Sequence, residues 1–78
     1  MKLQAAFLQL KQGDKPVEEY DLEFNKLARF SPAYVSTEKL KTERFIAGLR
    51  ENLKGHVVAQ ASSGYVEALR VAILINKL

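Results

Sequence analysis

A chain of 78 residues, 47% hydrophobic and 27% charged, has the composition of one small folded domain, which excludes a multi-domain enzyme and argues against disorder. The net charge of +3 is mild and poorly concentrated: Lys39, Lys41 and Arg44 alternate with Glu38 and Glu43, and Arg50 and Lys54 flank Glu51, so no one-sided cationic face gathers phosphates. With no cysteine and a single histidine, His56, disulfides and thiolate metal sites are ruled out, and a zinc site would need an all-carboxylate remainder.

In chain order, Leu3, Ala6, Phe7 and Leu10 recur at spacings of three and four and predict a helix over residues 1–11. Gln12-Gly13-Asp14 breaks it. Pro16 then suits the first turn of a second helix, where its missing N–H costs nothing. Val17, Tyr20, Phe24, Leu27 and Ala28 form the apolar face of that helix. Glu18, Glu19, Asp21 and Glu23 enrich its early turns, and Lys26 and Arg29 come later, both as the helix dipole prefers. Ser31-Pro32-Ala33 ends it. Ser36 or Thr37 caps a third helix running to about Leu49, with Glu38 in its first turn. A short fourth helix is expected over residues 51–60, weakened by Gly55. Ser62-Ser63-Gly64 breaks the chain before a last helix over residues 65–77. The longest unbroken apolar run, Val71 to Ile75, is too short to cross a bilayer, and the first residues do not read as a signal peptide.

Two of these helices offer more apolar surface than a small monomer needs. On the third, Phe45, Ile46 and Leu49 share one side while Leu40 falls roughly opposite, either as an ordinary exposed leucine or as an anchor for a partner. On the last, Glu67, Arg70 and Lys77 occupy a narrow arc, and Val66, Ala68, Leu69, Val71, Ala72, Ile73, Ile75 and Leu78 cover most of the remainder. Such excess calls for central burial or for another chain. Catalytic constellations are missing. Lys15 with Glu19 and Glu23 with Lys26 read as surface pairs, and Gly13, Gly48, Gly55 and Gly64 do not make a phosphate-cradling loop. The expectation is a protein without enzymatic activity, cofactor, small-molecule substrate or membrane partner.

One segment is more specific. Gln12-Gly13, then Val17-x-x-Tyr20-x-x-x-Phe24-x-x-Leu27, resembles the Gag capsid region of long-terminal-repeat retrotransposons of the Ty3/gypsy type, particularly those of plants. Phe45-Ile46-Ala47-Gly48-Leu49 with Leu53 is similar to the Phe-x-x-Gly-Leu stretch of that family, and Tyr65-Val66-Glu67-Ala68-Leu69 with Ala72 to its terminal helix. The three stretches stand in the right order and spacing from Phe7 onward. Gln12, Gly13, Val17, Tyr20, Phe24 and Leu27 also correspond to the retroviral major homology region. Two departures stand out: the spacer between Gly13 and Val17 is shorter, and the charged pair of that region is reversed here, as Lys15 with Glu23.

The resemblance implies an all-α, compact bundle of four to five short helices like the retroviral capsid C-terminal domain. Residues 1–13 would be a helix and linker from a preceding capsid lobe, free to exchange between protomers about a Gln-Gly hinge, and residues 14–78 the bundle. It implies a structural protein that self-associates into a cytoplasmic virus-like particle, with itself and the other Gag domains as partners. RNA would be held only indirectly, by a nucleocapsid region outside this chain. Leu40 lies where the family carries the apolar anchor of its two-fold contact, so Leu40, Lys41, Arg44 and Ala47 are the expected dimer interface. The competing readings are a domesticated host interaction domain and a helix-turn-helix DNA-binding domain built on the third and fourth helices.

Overall fold

The computed structural model describes residues 2–78, and their side chains from residue 5 onward except at 61 and 62. The described residues form an all-α bundle: α1 (Lys2–Gln9), α2 (Val17–Ala28), a 3-10 turn (Pro32–Val35), α3 (Glu38–Ala47), α4 (Glu51–Val57), a second 3-10 segment (Val58–Ser63) and α5 (Tyr65–Asn76). Met1 and the Leu3 and Ser62 side chains, which figured in the expected first helix and last break, lie outside the described set.

Local chemistry accounts for the helix ends. Pro16 stands one position before α2, as its N-cap, and its carbonyl accepts the first helical hydrogen bond from the Tyr20 N–H at 3.1 Å. Thr37 caps α3, its hydroxyl accepting from the Leu40 N–H at 3.0 Å. α4 stops at Val57 rather than near residue 60. Leu53 and Val57 are its buried pair, and the positions that would extend their row carry only Gln60 and Ala61, so the chain tightens into the 3-10 segment instead. Gly64 then turns with φ of +99°, a left-handed conformation that favours glycine, and α5 begins.

The core is aromatic. Phe24 of α2 lies 5.2 Å from Phe7, 5.5 Å edge-on from Phe45 and 5.7 Å from the stacked ring of Tyr65, measured between ring centres. α5 packs against α2, α3 and α4, and its inner row Tyr65, Ala68 and Ala72 is buried, the two alanines small enough for close approach. Its outer residues Val66 and Leu74 face solvent. Central burial and a free apolar edge therefore coexist on one helix. A division at residue 13 does not separate two cores, because Phe7 of α1 is buried in the same aromatic cluster as Phe24.

Candidate self-association face and the clamp behind it

Gln12 is fully buried and makes four hydrogen bonds. Its backbone N–H donates to the Gly48 carbonyl at 2.8 Å, and its carbonyl accepts from the Lys15 N–H at 3.0 Å. Its side-chain Nε2 donates to the Lys15 carbonyl at 2.9 Å, while Oε1 accepts from the Arg50 N–H at 3.1 Å. Glutamine suits this place because one amide supplies both a donor and an acceptor. The Arg50 guanidinium extends the link, donating to the Gly13 carbonyl at 3.2 Å and to Asn76 Oδ1 at the end of α5. The turn from Gln12 to Lys15 is thus a clamp that ties the end of α1 to the α3–α4 junction and, through Arg50, to α5; where a Gln-Gly hinge was expected, Gln12 is buried with its polar groups satisfied within the chain.

The other residues of this motif follow. Gly13 adopts φ of +57°. Val17, Tyr20 and Phe24 are buried, and Leu27 is half-buried against the core. The Tyr20 hydroxyl donates to the Phe45 carbonyl at 2.8 Å, tying α2 to α3. Lys15 Nζ meets Glu23 Oε1 at 2.9 Å, so the reversed pair is formed; Lys15 does not pair with Glu19, nor Glu23 with Lys26. Both partners are partly exposed, which limits the pair to about 0.2–1 kcal/mol.

On the far side of α3 from the core, Leu40, Ala47, Glu43 and Arg44 line a shallow groove with Ala33 and Tyr34 of the first 3-10 turn. Leu40 is 42% exposed. Arg44 lies over the Tyr34 ring at 5.3 Å, which holds both in place. The centre of the groove is apolar, and one acid and one base stand beside it. Lys41 does not belong to this face. It points around α3, with Nζ 4.3 Å from the centre of the Tyr65 ring, and lines a different depression with Asn25, Ala28, Arg29 and Val35. Of the four residues expected at a dimer interface, Leu40, Arg44 and Ala47 thus share this groove and Lys41 does not, because one residue along a helix turns the side chain by about 100°.

Sequence reading missed two contacts that tie α5 to other helices. Glu38 of α3 accepts the Tyr65 N–H at 2.6 Å, so the start of α5, which has no local side-chain cap, is capped from another helix. The Tyr65 hydroxyl donates to Asp21 Oδ1 and accepts from Asn25 Nδ2 at 3.1 Å, and Asn25 also donates to Asp21 Oδ1 at 2.9 Å. Burial, with the Asp21 carboxylate second, pushes the Tyr65 phenol well above its ordinary pKa; burial alone does so for Tyr20. Nothing local marked Asp21 or Asn25, although their spacing of four on α2 was a visible sign of a shared face.

No helix among the described residues is long and apolar enough to cross a membrane, and no group of three or more His, Cys, Asp or Glu among them is placed to hold a metal ion. No family model, no curated protein and no solved structure matches the chain.

Proposed function

We propose that this chain is an assembly module, the C-terminal lobe of a retrotransposon-type Gag capsid protein, whose copies join through α3 to build a virus-like particle in the cytoplasm. The observation that carries the reading is Leu40, held out from the core on a groove whose floor is apolar and whose border carries Glu43 and Arg44 together. Such a patch suits a second copy of itself, since a two-fold contact needs a surface that is its own complement and that does not repel itself. The resemblance in Gln12-Gly13, Val17, Tyr20, Phe24, Phe45 and Gly48 supports the capsid reading independently of Leu40, because these residues maintain the clamp and the core and not the outer face. The remaining Gag domains and the RNA-gripping region would be supplied by the rest of the polyprotein.

Each such contact is weak alone. A shell closes because many are made at once. Sedimentation equilibrium of the wild-type chain, from micromolar to millimolar, should show a mass rising to that of a dimer or beyond, and Leu40→Asp should lower the association at least tenfold with an unchanged melting temperature. A Leu40→Asp variant that associates like wild type would overturn the α3 contact. A chain that stays monomeric at millimolar concentration but binds duplex DNA with a steep salt dependence would replace the whole reading with the DNA-binding one.

A further inference from the structure

α5 carries a second face that the α3 contact does not use. Val66, Arg70 and Leu74 stand in one row four residues apart, Val66 74% exposed and Leu74 54% exposed, although the same helix is packed on α2, α3 and α4 through its opposite side. Beside the row, Arg70 pairs with Glu67 at 2.6 Å. The pattern is apolar, charged, apolar, with the charge at the middle neutralised by its neighbour.

We infer that this row is a second docking surface for another copy of the same chain, the two α5 helices crossing antiparallel about a two-fold axis near Arg70. The inference rests on the reading of the chain as an assembly module and gives that module its second contact. Rows spaced by four, laid side by side, are the commonest way helices pack. In that arrangement Val66 of one copy lies against Leu74 of the other, twice over. The two Glu67–Arg70 pairs come together around the axis as four charges summing to zero. A helix is its own complement here because the row reads the same in both directions: a bulky apolar residue at each end and a charge between. The outer face of α2 fits α5 less well, because it offers one exposed large apolar residue, Leu22, against the two, Val66 and Leu74, that α5 presents on either side of Arg70.

The face is narrow. Four residues' separation on each side of Arg70 spans about 12 Å of helix, far less than the roughly 800 Å² per partner of a stable complex would need. The contact is therefore weak and acts only when repeated. Its consequence is topological: one two-fold contact gives a closed dimer, whereas two different two-fold contacts on one chain link copies into an open array.

The test uses the whole chain in four forms: wild type, Leu40→Asp, Leu74→Asp and the double variant. Both leucines project into solvent, so circular dichroism and melting temperature should match throughout. Sedimentation equilibrium should show wild type exceeding the dimer mass at millimolar concentration, each single variant stopping at the dimer, and the double variant staying monomeric. If α5 makes no contact, Leu40→Asp is monomeric and Leu74→Asp behaves as wild type, which overturns the inference and leaves the α3 reading intact. If α3 makes none, Leu74→Asp is monomeric and Leu40→Asp behaves as wild type. In the Leu40→Asp background, Glu67→Arg should weaken the residual association several-fold, and adding Arg70→Glu should restore it. Failure of that restoration, or loss of association on Leu22→Asp instead, would move the partner of α5 to another surface and sink the two-fold arrangement.

Discussion

Tyr20 occupies the space that a side chain at Gly48 would fill. A β-carbon at position 48 would lie 2.8 Å from the Leu10 carbonyl oxygen and 2.9 Å from Cζ of Tyr20, with the Tyr20 hydroxyl closer still. Gly48 has an ordinary φ of −93°, so the requirement is one of space and not of backbone freedom. The tyrosine must come this close because its hydroxyl reaches past Gly48 to the Phe45 carbonyl. α1, α2 and the end of α3 are thereby locked at one point.

Gly48→Ala should accordingly destabilise the protein by about 3 kcal/mol, the upper range for forcing a methyl group into a packed interior. Tyr20→Phe should cost about 1 kcal/mol through the lost hydrogen bond. Because Phe removes the atom nearest the new methyl, the double variant should lose at least about 0.5 kcal/mol less than the two single losses added together. Urea denaturation of the four proteins measures this. Strict additivity would show that the Leu10 carbonyl, and not the tyrosine, sets the limit.

Gln12 gives the second expectation. Gln12→Ala leaves the Arg50 N–H and the Lys15 carbonyl without their side-chain partner, and each uncompensated buried group costs about 1–3 kcal/mol. A loss of about 3 kcal/mol is expected, together with faster amide exchange at Arg50. Gln12→Glu keeps the acceptor for Arg50 and loses only the donor to Lys15, so Arg50 should stay protected while stability still falls. Equal exchange rates at Arg50 in the two variants would contradict this division of labour.

How much of this was readable beforehand depends on distance along the chain. The buried row Val17, Tyr20, Phe24 and Ala28, the Thr37 cap and the break at Gly64 before α5 were legible because each is set by residues within a few positions of one another. The clamp was not. Of the four bonds Gln12 makes, the two to Lys15 stay within the turn, but the two that clamp it to the rest of the fold reach Gly48 and Arg50, more than thirty residues away. Leu40 was legible as a residue facing away from the core, since that is a matter of helical phase. Lys41 was not, since its course is decided by the Tyr65 ring, which only the tertiary fold brings beneath it. The early end of α4 was a question of burial: nothing beyond Val57 gave the helix a reason to continue.

Glu38 and Tyr65 make the third case. Glu38→Ala should cost about 1 kcal/mol, the usual loss when a helix start loses its cap. Unlike a local cap, this one joins two helices, so the loss should appear in both: faster exchange of the Tyr65 amide, and a lower melting temperature for the bundle as a whole. Glu38→Gln retains an acceptor oxygen and should recover about half of the stability. If the glutamine variant is no better than alanine, the contribution of Glu38 comes from its charge near the start of α5 and not from the hydrogen bond.

The tyrosines give a pH dependence of definite sign. Burial raises the pKa of Tyr20 and Tyr65 in the folded state, and Asp21 raises that of Tyr65 further. In the unfolded chain both phenols return to the ordinary value of about 10. Below that pH both states hold the phenolic protons, and this contribution to stability is fully present. Above it the unfolded chain releases protons that the folded chain retains, so unfolding is favoured progressively as pH rises toward the folded-state values. Urea denaturation between pH 8 and 11.5 should therefore show a flat region followed by a fall that begins near pH 10. Tyr65→Phe should be less stable at pH 8, having lost its bonds to Asp21 and Asn25, yet fall less steeply above pH 10, because one of the two phenols with a raised pKa is gone. All other groups are common to the two proteins and cancel in the comparison. Parallel curves for wild type and Tyr65→Phe would show that Tyr65 ionises as readily in the bundle as out of it, and would remove the Asp21–Tyr65 contact from the account of how α2 holds α5.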